Sequence, residues 1–511
     1  MNTPPETIPD PFNMAAYVLA AGQANPDKLA LRVVGAVSDD WSYARLIAAV
    51  GGTASGLTQC GLSSGDTILI RMGNTADFPI VYLAAIWMGA IPVPLSPQLT
   101  AVEVGKIIAE TNANMIASDP ALPLPDTHKT VVARDALRAM PTNPAVPPVM
   151  GDPDRPAYMV YTSGTSGKSR GVVHAHRAIW ARRMMWDGWY GLRASDVMLH
   201  AGAFNWTYTM GTGLMDPWAI GATALIPDAS VTPDQLPALM ADHHATIFAA
   251  APGVYRRLLR HDMPDLPHLR HGLCAGEKLP DAVRQSWQDA TGTQVHEAFG
   301  MSECSTFLSG SPAKPAPHGT LGFPQTGRNV AILDPDGQEI LNGERGTIAI
   351  HRCDPGLMLG YHNAADETAQ KYSGDWFLTG DMGHRTSDGA IVYEGRDDDM
   401  MNAGGVRVSP LEIEATLTAH PSIDEVACCA VRVRTDVYVI AAFYTAANLI
   451  DPDELRRFAA VSLAGYKVPR IFRHVADIPK GANNKMLRRK LRDDWSKADS
   501  APQRRDPDGQ A

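Results

Sequence analysis

Short runs such as Asp66-Thr-Ile-Leu-Ile-Arg-Met72 and Ala222-Thr-Ala-Leu-Ile-Pro-Asp228 are almost wholly apolar and bounded by turn residues. They alternate with longer stretches of helical periodicity up to about residue 394. That alternation predicts an α/β fold with largely parallel sheets, whose strands are buried on both faces. The longest apolar run, Phe78 to Leu95, is interrupted by Pro79, Pro92 and Pro94. It therefore predicts a buried helix followed by a strand, not a membrane span. Near Gly395 the pattern changes. The acidic, glycine-containing run from Gly395 to Pro410 precedes a helical stretch, Leu411 to His420, and two alternating strands, Asp424 to Val433 and Val437 to Tyr444. The expected organisation is a large N-terminal domain, 1–394, a hinge at 395–398 and a small domain, 399–495. Residues 496–511 are polar and are expected to form a disordered tail. No internal repeat is seen.

Composition narrows the classes. With 511 residues the chain needs more than one core. A formal charge of −10, from 45 basic and 55 acidic residues, argues against nucleic acid or an anionic membrane as main partner. Six scattered cysteines without a CxxC pair fit neither a disulfide framework nor a zinc module, and point to reduced thiols in a cytoplasm. The opening stretch has no basic residue ahead of its short apolar run, so no secretory leader is expected.

The chemistry concentrates in Tyr161-Thr-Ser-Gly-Thr-Ser-Gly-Lys-Ser-Arg-Gly171, between a strand-like stretch and a helix-like one expected from His174. Small residues let backbone N–H groups converge on an anion. The hydroxyls of Thr162, Ser163, Thr165 and Ser166 add donors, Gly164 and Gly167 add freedom, and Lys168 and Arg170 add charge. A Walker A loop would need glycine where Thr162 stands, so the segment is a different phosphate cradle. Its bland alternative is a polar linker. The segment resembles the signature of the adenylate-forming superfamily: acyl- and aryl-CoA synthetases, luciferases and peptide-synthetase adenylation domains. It departs from that signature at Ser169, where proline is usual, and at Arg170, where lysine is usual.

Further motifs follow in the family's order. Gly276-Glu277-Lys278 and Glu297-Ala298-Phe299-Gly-Met-Ser302-Glu303 resemble the adenine site and the segment approaching the α-phosphate and Mg²⁺, with Glu303 as metal ligand. A carboxylate oxygen suits that hard cation. Asp381 and Arg396 match the two ribose motifs. Gly346–His351 and Leu359–Asn363 match pieces expected to be structural. Lys485, in Pro479–Arg488, falls at the position of the catalytic lysine, with Asn484 replacing the usual glycine. Lys485, Glu303 and Thr162 are thus the expected catalytic residues. Taken alone, Glu303 could be a solvated acid and the Lys485 segment a basic patch.

The resemblance implies a large, multi-subdomain N-terminal α/β domain with a small mobile α+β C-terminal domain pivoting at Asp398. It also implies ATP and Mg²⁺. Gly404, Gly405 and Arg407 resemble the stretch along the pantetheine channel of CoA ligases, which favours CoA as acceptor. Loading of a carrier protein and luciferase-like chemistry are the alternatives. The acyl pocket is expected from His200, Phe204, Asn205, Trp206, Ala251 and Gly300, with Tyr208 nearby, and suits an aryl or short- to medium-chain acid. A metal role for His200 is not expected. A homodimer is among the expected assemblies.

Overall fold

The computed structural model describes residues 7–35, 38–163, 169–276, 279–396, 401–403, 406–408, 410–434, 437–479 and 488–500. It divides into two compact units, the first comprising Met1–Thr162 and Arg170–Asp397 and the second Ser163–Ser169 and Asp398–Ala511.

The larger unit is built on a nine-stranded sheet among the described residues. Its centre is parallel. In spatial order it runs Val295–Met301, His271–Ala275, Ile247–Ala250, Val197–His200, Thr223–Pro227 and Leu29–Val34. Thr223–Pro227, Ile247–Ala250 and His271–Ala275 are buried throughout, as parallel strands covered on both faces must be. Antiparallel strands close the edges: Ser305–Ser309 and Phe323–Pro324 on one side, Asp39–Ser42 on the other. A four-stranded parallel sheet carries Thr67–Arg71 and Ile91–Pro94. The helix Asp77–Trp87 lies directly before Ile91–Pro94, with Phe78 through Trp87 all buried. The proline-broken apolar run is therefore a core helix and a strand, as its pattern implies. Side-chain caps start other helices: Ser42 accepts from the Arg45 amide, and Thr100 and Glu103 form a capping box. A third, antiparallel sheet holds Gly346–His351, Trp376–Arg385 and Ile391–Arg396.

The stretch after the glycine-rich loop departs from expectation. Ser169–Ala175 is a strand in one sheet with Pro156–Ser163, and a helix of only four residues, Ala178–Ala181, follows it. Consecutive β-branched Val172 and Val173 favour extended backbone there, and no capping residue starts a helix. Ser163 and Ser169, on either side of the loop, thus both lie in strands, and the next helix among the described residues starts only at Ala178.

The second unit packs the helices Pro410–Thr418, Pro452–Ser462 and Arg488–Ser500 with an antiparallel pair, Glu425–Arg434 and Val437–Thr445, joined in parallel by Ile471–His474. It has its own apolar core around Ile413, Val426, Tyr444 and Leu455. Buried Glu414 accepts from the Cys428 amide (2.6 Å) and from Arg488 (2.6 and 3.0 Å). The last helix runs to Ser500, so residues 496–500 are not tail: Leu491 is buried, and the Trp495 indole donates to the Arg432 carbonyl at 3.1 Å. Among the described residues no helix is long and apolar enough to cross a membrane.

Candidate active site

In an open parallel sheet the strands' carboxyl ends leave a crevice where ligands bind. Here four neighbouring strands end at His200, Ala250, Ala275 and Met301. Their registers pair His200 with Ala249, Ala250 with Cys274, and Ala275 with Ala298. One edge therefore gathers His200, Ala251, Gly276, Ala298, Ser302 and Glu303, which lie as far apart as a hundred residues in sequence.

Glu303 sits in the turn between Val295–Met301 and Ser305–Ser309. The Tyr361 hydroxyl donates to its Oε1 at 2.7 Å, and its carbonyl accepts from the Met358 amide at 2.8 Å. Its carboxylate is thus held by one oxygen, while Oε2 has no partner among the described residues. That geometry fits a cation ligand. Tyr361 belongs to a segment expected to be structural, so its role in the site is new. Gly300 is excluded from carrying a side chain: a Cβ there would lie 2.2 Å from the Ser305 carbonyl oxygen across the hairpin.

Asp381 is buried on Trp376–Arg385, opposite Arg396 in the register. Tyr393 links it to the adenine candidate Phe299. Its ring lies 5.5 Å from that of Phe299, and its hydroxyl is 3.4 Å from Asp381 Oδ1. Sequence reasoning passed over Tyr393, which lies in a strand with no distinctive motif.

Other expected contacts are already engaged. Glu297 accepts from the Leu279 amide at 2.9 Å and from Arg284 at 2.5 Å, so its carboxylate ties down the chain leaving 277–278. Arg170 forms a forked ion pair with Glu367. Glu277, Lys278, Gly164, Thr165, Ser166, Gly167, Lys168, Asp398, Gly404, Gly405 and Lys485 lie outside the described residues. For Thr162, Ser163, Arg396 and Arg407 only the backbone course is described.

Beside Ser302 lies a small cavity of about 20 Å³, room for a water. Its walls carry Tyr82, Tyr158, Val160, His174 and Arg182, then Thr207, Met210 and Met215 around a π-helical segment, and Ser302 and Ser305. None of the six residues expected to line an acyl pocket contributes. Phe204 belongs to the hydrophobic core, its ring 5.6 Å from that of Phe78. His200 is buried, edge-on to Tyr208 at 4.4 Å; Asn205 and Trp206 are half-buried, and Ala251 starts the helix Pro252–Leu258. An aromatic residue reads the same in sequence whether it packs inward or faces a cleft.

Histidine 174 is fully buried, and burial lowers its pKa to about 4 against the opposing pull of the Ser302 carbonyl and Glu303. The ring is neutral at pH 7. Its Nε2 lies 2.7 Å from the Ser302 carbonyl and must carry the proton, so Nδ1, which has no partner, is an acceptor.

Residues 19–362 match the AMP-binding enzyme family, and residues 412–485 match the C-terminal domain of AMP-binding enzymes. The benzoate–CoA ligase of Thauera aromatica is 30% identical, over 96% of this chain and 98% of its own. The 4-hydroxybenzoate–CoA/benzoate–CoA ligase of Rhodopseudomonas palustris is 29% identical over 88% of each. The fold is similar to that of the o-succinylbenzoate CoA synthetase of Bacillus subtilis, with a TM-score of 0.83, 22% identity, and 93% of this chain and 98% of that one covered. Two matched domains, one in each unit, establish that the chain belongs to the AMP-binding enzyme family.

Proposed function

We propose that the protein is an ATP-dependent acid–CoA ligase acting on an aryl carboxylic acid. It joins the acid to AMP with release of pyrophosphate, then transfers the acyl group to the CoA thiol with release of AMP. One observation carries this reading: Glu303, held through one oxygen by the Tyr361 hydroxyl, stands at the strand ends beside Ala298 and Gly276, where a cation on the nucleotide phosphates would meet its second oxygen. The names of the relatives, which are ligases of benzoate and hydroxybenzoate, support the aryl acid and CoA.

The residues divide the work. Asp381 would accept from the ribose hydroxyls, and Phe299 with Tyr393 would fix the base above it. Tyr361 orients Glu303 so that its second oxygen is available. Mg²⁺, when bound there, would neutralise charge on the phosphate oxygens. Lys485, on the smaller unit, would meet the negative charge that builds as the carboxylate attacks the α-phosphorus. Six free cysteines are consistent with action in the cytoplasm.

The test is AMP formation from ATP with a panel of aryl and aliphatic acids, with and without CoA. Aryl-acid-dependent AMP release that CoA accelerates, with acyl-CoA as product, is expected. Adenylate accumulation unaffected by CoA would point instead to a carrier-protein acceptor.

A further inference from the structure

Ser302 and Glu303 lie in the turn of a hairpin, and a turn aims a side chain only as well as its own backbone is held. The Glu303 carbonyl accepts from the Met358 amide at 2.8 Å, and the Cys304 amide donates to the Met301 carbonyl at 3.2 Å. A third hold comes from a side chain. Nε2 of His174 lies 2.7 Å from the Ser302 carbonyl, and since that oxygen can only accept, the ring nitrogen is the donor.

His174 is 2% exposed, and its ring stacks on that of Tyr158 with centroids 4.8 Å apart and planes 14° from parallel. An apolar side chain of similar size would fill this space without taking two ring nitrogens out of water. What the histidine adds is a donor, and the stacking holds it in one orientation.

The strand that carries it gives that donor a wider meaning. Ser169–Ala175 begins where the candidate phosphate loop ends, and it pairs antiparallel with Gly360–Tyr361, Tyr361 standing opposite Val172. The His362 amide donates to the Gly171 carbonyl at 2.7 Å, and the Leu359 amide to the Val173 carbonyl at 2.8 Å. Glu303 is therefore tied twice to one strand, its carboxylate through Tyr361 and its neighbouring peptide through His174. One tie sets where the carboxylate points, and the other where the turn sits.

We infer that His174 is a positioning residue, which through the Ser302 carbonyl sets the Glu303 carboxylate against the strand leaving the candidate phosphate loop. The inference rests on Glu303 being the cation ligand of the proposed ligase. His174 acts through the turn alone, so its removal matters only while Glu303 has a charge to aim.

The experiment is a double-mutant cycle on the full chain: wild type, His174→Leu, Glu303→Gln and the two together, with His174→Gln as the variant whose side-chain amide can still donate to the carbonyl. Calorimetry reads the affinity for Mn²⁺–ATP, acid-dependent pyrophosphate exchange reads the Mg²⁺ needed for half-maximal rate, and the thermal midpoint reports folding. His174→Leu should weaken Mn²⁺–ATP binding about tenfold in the native background and change it less than about twofold beside Glu303→Gln. His174→Gln should recover most of the loss. If His174→Leu does not fold, His174→Met, equally without a donor and more adaptable in shape, takes its place in the cycle. Equal losses in both backgrounds, no loss at all, or a His174→Gln variant as weak as His174→Leu would overturn the inference. Pyrophosphate exchange absent with every acid would remove the ligase reading, and the Mn²⁺–ATP cycle would still decide the role of His174. Normal exchange with additive losses would leave the ligase reading standing and remove that role.

Discussion

Asp381 and Arg396 are cross-strand partners on neighbouring antiparallel strands, so two ribose candidates fifteen residues apart in sequence share one place in the sheet. The Asp381 amide is held by Thr379 Oγ1 at 3.1 Å, and the Thr379 hydroxyl donates to the Ile348 carbonyl at 2.6 Å, which anchors the carboxylate's backbone to the next strand. Asp381→Ala removes the acceptor for the ribose hydroxyls and leaves them unpaired in a buried setting. A loss of about 1–3 kcal/mol follows, so the KM for ATP should rise roughly five- to a hundred-and-fifty-fold with a smaller change in the KM for the acid. ATP titration at saturating acid reads this, and an unchanged KM for ATP would remove the ribose assignment.

Glu303→Gln keeps the acceptor that Tyr361 needs but deletes the charge a cation requires. The Mg²⁺ concentration for half-maximal pyrophosphate exchange should increase by an order of magnitude or more. Tyr361→Phe leaves the charge and loses the 2.7 Å tether. It should therefore give a milder loss, several-fold, carried mainly in kcat because the carboxylate is less well aimed. Equal effects of the two changes would show that the pair is structural and has no part in metal binding.

Much of this layout is legible in the chain, and the exceptions share a cause. The strands Thr67–Arg71 and Thr223–Pro227 and the helix Asp77–Trp87 announce themselves because burial on all sides demands uninterrupted apolar runs. Glu303 and Asp381 are readable because they sit in short motifs of fixed spacing. Tyr361 and Tyr393 are not, since each acquires its place only when a distant strand or turn is laid beside it. The extended course of Ser169–Ala175 was lost to the expectation that an anion loop leads into a helix. Phe204 was misplaced because its segment enters both core and cavity wall.

Acid should unfold the larger unit early. Burial lowers the pKa of His174, His271 and His296 to about 4 and of His176 and His200 to about 3, against the ordinary value near 6.5. The unfolded chain therefore takes up protons that the folded one refuses. Stability is complete above pH 6.5 and falls as pH drops toward 4, by about 1.4 kcal/mol per pH unit for each histidine. The thermal midpoint should decline steeply between pH 6.5 and 4.5 and be flat with respect to these groups from 6.5 to 8. A midpoint constant down to pH 4.5 would show that the rings are charged in the folded state.

The last prediction concerns the boundary after Asp397, where the larger unit ends. The proposed reaction asks two things of one site: Lys485 must meet the phosphate during adenylation, and the stretch around Gly404 and Gly405 must line the thiol's approach afterwards. A single rigid arrangement cannot supply both, so the smaller unit has to turn, with a few boundary residues absorbing the change in φ and ψ. Proline at 398 would fix φ near −65° and disfavour helical backbone at Asp397. It removes none of the side chains proposed to act on ATP. Asp398→Pro should therefore retain most of the adenylation rate, measured by single-turnover pyrophosphate release, while acyl transfer from a supplied acyl-adenylate to CoA drops by an order of magnitude or more. Loss of both half-reactions in equal measure would mean that position 398 serves only as a linker, and the turning would then have to be placed elsewhere along the boundary.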